Sequence, residues 1–165
     1  MKNYKKNLLL PFVCLFGVCA VLFLLPGTIA NWNLIVNEFK TYFRPEITLQ
    51  YEPAYDDIKE IQIGGAITMS SYDVKEHGCY IYTKIEHMNQ ITEYLNKLNL
   101  VEADRSELPN MSADAAVQYY NDNGLVRNYL IYGQVFIEDV MDNHLYRLKS
   151  SKQGIIKGLE CMEFD

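Results

Sequence analysis

Thirteen tyrosines, three histidines and four cysteines are the side chains of this 165-residue sequence best suited to catalysis, metal binding or recognition. The spacings that would make an enzyme of them are missing. Ser70-Ser71 and Ser150-Ser151 have no lysine three residues on, so the Ser-x-x-Lys nucleophile arrangement is absent. The sequence also lacks a Gly-x-Ser-x-Gly elbow, a His-Glu-x-x-His zinc helix and a glycine-rich phosphate loop. Cys79 follows His77 by two residues, but Gly78 marks a turn between them, and the thiol reads as structural rather than nucleophilic. His87 stands beside Glu86 and one turn before Ile91, which gives no two-ligand helical face, so His77, His87 and His144 read as solvated. Glu138, Asp139, Asp142 and Asn143 make an acidic turn without the alternating carboxylates and distal glutamate of a calcium loop. No catalytic residue, metal or cofactor is expected.

The tyrosines carry more promise as a binding face. Asn123-Gly124 is a strong hairpin signal, and pairing across it sets Val117 opposite Leu130 and Tyr119 opposite Asn128. A two-residue turn at Gly133-Gln134 then aligns Tyr132 with Val135 and Ile131 with Phe136. In that register one face holds Val117, Tyr119, Val126, Leu130, Tyr132, Val135 and Ile137 and forms the core. The other holds Tyr120, Arg127, Tyr129, Ile131, Phe136 and Glu138. Its bland reading is aromatic cross-strand pairing under cover of the last helix. Its functional reading is a ligand or partner surface centred on Tyr120, Arg127, Tyr129 and Phe136, suited to a glycan or an extended peptide.

Those residues need a sheet to position them. Ile58 to Met69 alternates at period two around Gly64-Gly65, a pair that suggests a bulge or a close backbone approach. Lys75 to Gly78 turns the chain and Cys79 to Lys84 returns it. Met88, Ile91, Leu95 and Leu98 form one apolar stripe, so the spacing predicts a helix over 86–98. Residues 100–112 read as irregular. Strands follow at Ala115 to Asn121, Leu125 to Tyr132, Val135 to Asp139 and His144 to Lys149. Ser150 or Ser151 is placed to cap a last helix over 151–161 that carries Ile155, Ile156 and Leu159. The expected fold class is α+β: an N-terminal transmembrane helix, then a small antiparallel sheet domain with two helices in the order β-β-α-β-β-β-β-α.

The N-terminus supplies an address. Lys2, Lys5 and Lys6 precede an uncharged run from Leu8 to Leu25, and no acidic residue occurs before Glu38. At 1.5 Å per residue the run makes a helix of about 27 Å, close to the roughly 30 Å of a hydrocarbon core. Three lysines before it, against Lys40 and Arg44 after it, favour a cytoplasmic N-terminus and an exported C-terminal domain. Trp32, Tyr42 and Phe43 would lie at the outer interface. Two rivals stay open. Thr28-Ile29-Ala30 is a passable cleavage site, and Cys14 and Cys19 end apolar runs as lipoprotein cysteines do, though valine precedes both.

The domains are therefore 1–30 as anchor or signal segment, 31–56 as amphipathic helix and linker, and 57–165 as the exported α+β domain. All 21 acidic residues follow residue 30, as do 12 of the 15 basic ones, so the exported part carries −9. That sign argues against nucleic acid and against adhesion to anionic lipid. Cys79 and Cys161 are the one cysteine pair in the domain, open to a disulfide or to two free thiols.

Tyr129, Tyr132 and Gly133 with Ile137-Glu138 behind them, and Leu145-Tyr146 in the closing strand, resemble the pattern of a family of small exported α+β domains of unknown function. Those domains sit on membrane-anchored surface proteins of Gram-positive bacteria. The resemblance spans roughly residues 57 to 160, with His144 where that pattern has glycine. It implies an anchored surface domain and transfers no catalytic residue. The expected function is a membrane-anchored, extracytoplasmic, non-enzymatic binding or sensing module held by residues 8–25. Its partner would be an envelope protein or glycan, with no nucleic acid. The alternatives are a structural accessory subunit of a membrane complex, or an envelope-acting hydrolase whose Glu138, Asp139 or His144 would have to converge in a cleft.

Overall fold

The computed structural model describes residue 36 and residues 39–49, 58–108, 110–149 and 153–164. The expected membrane span at 8–25, the residues at 28–30 and the caps at Ser150 and Ser151 lie outside them. No helix among the described residues is long and apolar enough to cross a membrane. The chain divides into two units after Phe43. In the first, residues 39–43 are helical, with Phe39, Tyr42 and Phe43 exposed and their rings in contact at 5.4 and 5.5 Å.

The second unit is an antiparallel sheet of eight strands. They are β1 (Glu60–Gly65), β2 (Val74–Glu76), β3 (Cys79–Tyr82), β4 (Leu100–Glu102), β5 (Ala115–Asn121), β6 (Gly124–Tyr132), β7 (Phe136–Asp139) and β8 (His144–Leu148). Their spatial order is β2-β3-β1-β5-β6-β7-β8-β4. Helices α1 (Ile85–Asn96) and α2 (Ile155–Glu160) complete an α+β domain. Six strands fall where the alternation predicts them. The two additional ones, β2 and β4, have three residues each, too few to establish a period, and both lie at the sheet edges. β2 meets β3 through a two-residue turn with positive φ at both His77 and Gly78, the backbone of a type I′ hairpin. β4 pairs with β8, forty-odd residues away, and on its other side with Ile47 through a two-way backbone bridge.

One face of the sheet is the core. Ile61, Ile63, Tyr82, Val117, Tyr119, Tyr129, Ile131 and Ile137 are buried there beneath Met88, Ile91 and Leu95 of α1 and Ile155, Ile156 and Leu159 of α2. The predicted α1 stripe, Leu98 included, is buried throughout. Thr92 of α1 reaches the Tyr119 hydroxyl at 3.2 Å, and Tyr94 donates to the Ile155 carbonyl at 2.9 Å, joining the two helices. Gly65 makes the close approach that its position suggests. Its φ is +107°, and a Cβ would overlap the Asp114 carbonyl beside it.

Both turns of the meander differ from expectation by one residue, and the difference exchanges faces. In the first hairpin Asn121 pairs with Gly124, so the loop is Asp122-Asn123, and an irregularity between Tyr119 and Tyr120 sets Tyr119 against Arg127 and Val117 against Tyr129. Asn121 holds this turn by accepting from the Asn123 amide at 2.8 Å. In the second, Tyr132 pairs with Phe136 across a three-residue loop. The extra residue has a physical cause. The Gln134 carbonyl accepts from the Ile155 amide at 2.9 Å and its side chain from the Lys157 amide at 3.2 Å, so the loop caps α2. The helix accordingly begins after Gly154, without a side-chain cap of its own, instead of at 151.

Because side chains alternate at period two, one residue of slip moves a whole set. Tyr129 and Ile131, expected on the outer face, are in the core, while Leu130 and Tyr132 are half-buried opposite and Val135 is exposed in the loop. Val117, Tyr119 and Ile137 stay inside as predicted.

Candidate functional site

At the end of the core face where α1 stops, the helix leaves part of the sheet uncovered. The floor there is Tyr129 of β6, Asp139 of β7 and Tyr146 of β8; the walls are residues 97–99 and the extended segment 46–49. Together they enclose a groove of about 580 Å³, with Arg127 and Asp142 at one end. Such a volume suits a ligand of amino-acid or monosaccharide size or somewhat larger.

The acidic turn shapes that end. Asp139 closes the β7–β8 hairpin opposite His144, and its Oδ1 accepts from the amides of Met141 and Asp142 at 3.1 and 3.3 Å. Asn143 takes the left-handed conformation that ends the turn, φ +57°, which asparagine tolerates better than most residues. Arg127 then lies between two carboxylates. It pairs with Asp139 and with Asp142, the latter at 2.6 Å, while its Nε donates to the Tyr129 hydroxyl at 3.4 Å. The guanidinium lies 5.7 Å from the centre of the Tyr129 ring.

Burial sets the electrostatics. Asp139 is 1% exposed, and desolvation raises its carboxyl above the ordinary value by more than Arg127 and the turn amides lower it. For Arg127 burial works against the charge, and the Tyr129 hydroxyl with the two aspartates outweighs it, so its pKa lies above normal. Burial likewise pushes the Tyr146 phenol up, reinforced by Asp139, Asp142 and Glu102 and offset in part by Arg127. The opposite wall is pinned by ion pairs, Lys149 to Glu46 at 3.0 Å and Arg44 to Glu107 at 2.7 Å. Lys149 holds the Glu46 carboxyl below the usual range.

The four residues expected to share one face are divided between two. Arg127 and Tyr129 belong to the core face, Tyr129 at 1% exposure, while Tyr120 is half-buried and Phe136 buried on the opposite face. Phe136 lies 5.8 Å beneath the Arg147 guanidinium, and Glu138 beside it takes Arg105 and, at 2.7 Å, the Tyr132 hydroxyl. Glu138, Asp139 and His144 do not converge. His144 is exposed and stacks on Tyr146 at 6.0 Å, and Glu138 faces away from the groove.

His87 corrects a second expectation. It is 4% exposed instead of solvated, with Nδ1 2.8 Å from Asp73 and its ring 4.8 Å from Phe164. Asp73 fixes the chain just before α1 by accepting from the Thr83 and Lys84 amides at 2.8 and 2.9 Å. Burial tends to raise this carboxyl, yet those amides with His87 and Lys84 prevail and leave it below the ordinary value. Cys79 and Cys161 are free thiols. Among the described residues no group of three or more His, Cys, Asp or Glu side chains could hold a metal ion.

Glu46, Thr48, Lys97, Asn99 and Tyr146 escaped the sequence reading because they come from distant segments that no periodicity connects. No protein-family model, curated protein or solved structure matches the chain.

Proposed function

We propose that this chain is a membrane-anchored, extracytoplasmic binding or sensing module, non-enzymatic, that takes its ligand in the groove over β6–β8. The anchor is residues 8–25, with the N-terminus on the cytoplasmic side. The observation that carries the proposal is the Arg127–Asp139–Asp142 network at one end of a groove that Tyr146 also lines. A half-buried arginine shared by two carboxylates holds the rim in one geometry before any ligand arrives, which reduces the ordering cost of binding. The exposed Phe39, Tyr42 and Phe43 in the helical residues 39–43 suit a membrane surface.

The test is purification from membranes in mild detergent of the wild type and of an Asp142→Ala, Tyr146→Ala chain, with bound material identified by mass spectrometry. A component retained by the wild type and lost from an equally stable variant is the expected result. Equal retention by both would remove the groove from consideration.

A hydrolase is the second reading, and Asp139 is what supports it. A carboxyl held toward its protonated form in a groove is what a general acid requires. Its 1% exposure and its engagement by Arg127 count against substrate contact. Turnover of envelope material that disappears in a folded Asp139→Asn chain would establish this second reading.

A further inference from the structure

We propose that the groove selects a ligand bearing a compact organic cation, an amine or a guanidinium such as a lysyl or arginyl side chain, held between the Tyr146 ring and the Asp142 carboxylate. The inference rests on the groove being the ligand site and names the chemistry that site accepts.

Three carboxylates line the groove, Glu46, Asp139 and Asp142, with the cations Lys97 and Arg127; Glu46 is paired with Lys149 at 3.0 Å, so the acidic end is the one formed by Asp139 and Asp142. Both cations are already engaged. Arg127 serves Asp139, Asp142 and Tyr129, and Lys97 reaches back along α1 to Glu93 at 2.6 Å with its side chain 71% exposed. Asp142 is the accessible partner of the network: its side chain is 54% exposed, while that of Arg127 is 20% exposed. An entering cation therefore meets the exposed Asp142 carboxylate at the rim, where it shares that carboxylate with the less exposed Arg127.

The direction of the Tyr146 shift agrees with this sign. Beyond the effect of burial, its phenol feels Asp139, Asp142 and Glu102 against Arg127 alone, so the surroundings of the ring disfavour added negative charge. Tyr146 is half-buried, and His144 stacks near it with ring centres 6.0 Å apart. A cation against a half-buried aromatic ring and beside a carboxylate gains from both the ring quadrupole and the charge. A neutral ligand of the same shape gains from neither.

The experiment is calorimetric titration of the full chain in detergent with four probes: Nα-acetyl-arginine amide, its neutral isostere Nα-acetyl-citrulline amide, N-acetylglucosamine and inorganic phosphate. The arginine derivative is expected to bind, with the citrulline isostere about tenfold weaker or worse and no heat from phosphate. Asp142→Asn and Tyr146→Leu, each with an unchanged unfolding midpoint, are expected to weaken the arginine derivative about fivefold to tenfold. The citrulline derivative binding as tightly as the arginine derivative, or N-acetylglucosamine binding best with the same sensitivity to Asp142 and Tyr146, would overturn the choice of a cation and leave the groove as the site. Probes that bind no better to the wild type than to the two variants, or that do not bind at all, would overturn the groove and its chemistry together.

Discussion

Asp139 and Arg127 form a pair whose two members differ in what their removal should do. Desolvation is the largest influence on the Asp139 carboxyl and raises its pKa above the ordinary value despite the guanidinium, so ionisation is harder for this carboxyl in the folded protein than in the unfolded chain. Asparagine resembles the protonated form and keeps an oxygen for the Met141 and Asp142 amides. Asp139→Asn should therefore cost less than about 1 kcal/mol at pH 7 by chemical denaturation, a small loss for so buried a site. Arg127→Ala is the opposite case, because it leaves Asp139 buried beside Asp142 without its cation. A loss of about 3 kcal/mol is expected at pH 7. The sign of its pH dependence follows from the raised folded pKa. The penalty is present above the ordinary carboxyl range and is relieved as pH falls through the folded value, because the folded protein then takes up a proton before the unfolded chain does. The deficit of Arg127→Ala should shrink between pH 7 and pH 4.5. A deficit constant across that range would mean that lost packing, not an unpaired carboxylate, is responsible. The same denaturation measurements separate the two faces of the meander. Tyr129→Ala should cost about 3–5 kcal/mol as a core truncation, and Tyr120→Ala well under half of that.

At the scale of elements, the β6–β7 loop and α2 depend on each other. α2 has six residues and no side-chain cap, and Gln134 supplies the acceptors for its first turn. Gln134→Ala should cost about 1 kcal/mol, read as faster amide exchange over 155–160 with little change in the sheet. Exchange unchanged there would show that packing of Ile155, Ile156 and Leu159 holds the helix without the loop. This dependence also explains what could and could not be read from the chain. Strand alternation and the α1 stripe are local, so β1, β3, β5 to β8 and α1 were legible within a few residues. The loop length between β6 and β7 is decided by a helix twenty residues further on, and the first turn by the Asn121 side chain. A sequence reading that assigns a turn from Asn-Gly or Gly-Gln alone cannot see either. The cost was large because the slip reversed two faces, and with them the site: Tyr120 and Phe136 left it, Tyr129 became floor, and Tyr146 entered. Arg127, expected on one face with Glu138, lies on the other face and pairs with Asp139 and Asp142. His87 was misread because its carboxylate, Asp73, lies fourteen residues earlier in a turn.

For the whole molecule, the domain guards its edges. The β2 edge is three exposed residues with Lys75 and Glu76 among them, and the β4 edge is closed by Ile47 and the ion pairs of Arg44 and Lys149. Short, charged or covered edges hinder strand addition from another copy. The net −9 after residue 30 adds repulsion between copies. Both features are consistent with the proposed surface-held module, which would have to stay dispersed with its groove open. Placing it on that surface rests on Lys2, Lys5 and Lys6 ahead of the uncharged run from Leu8 to Leu25. Export and anchoring can be read in one experiment on intact cells. External protease should digest residues 46–165 or trim them from the cell, because the lysine bias favours an N-terminus inside. An epitope placed before Lys2 should stay protected until the membrane is permeabilised. A fully protected C-terminal domain would reverse the orientation. Release of the domain into the medium with Asn31 as its first residue would select cleavage after Ala30 over a retained span. An anchored domain whose mass carries an added lipid at Cys14 or Cys19 would select the lipoprotein route. Each outcome leaves the same groove, but they differ in how close it is held to the membrane.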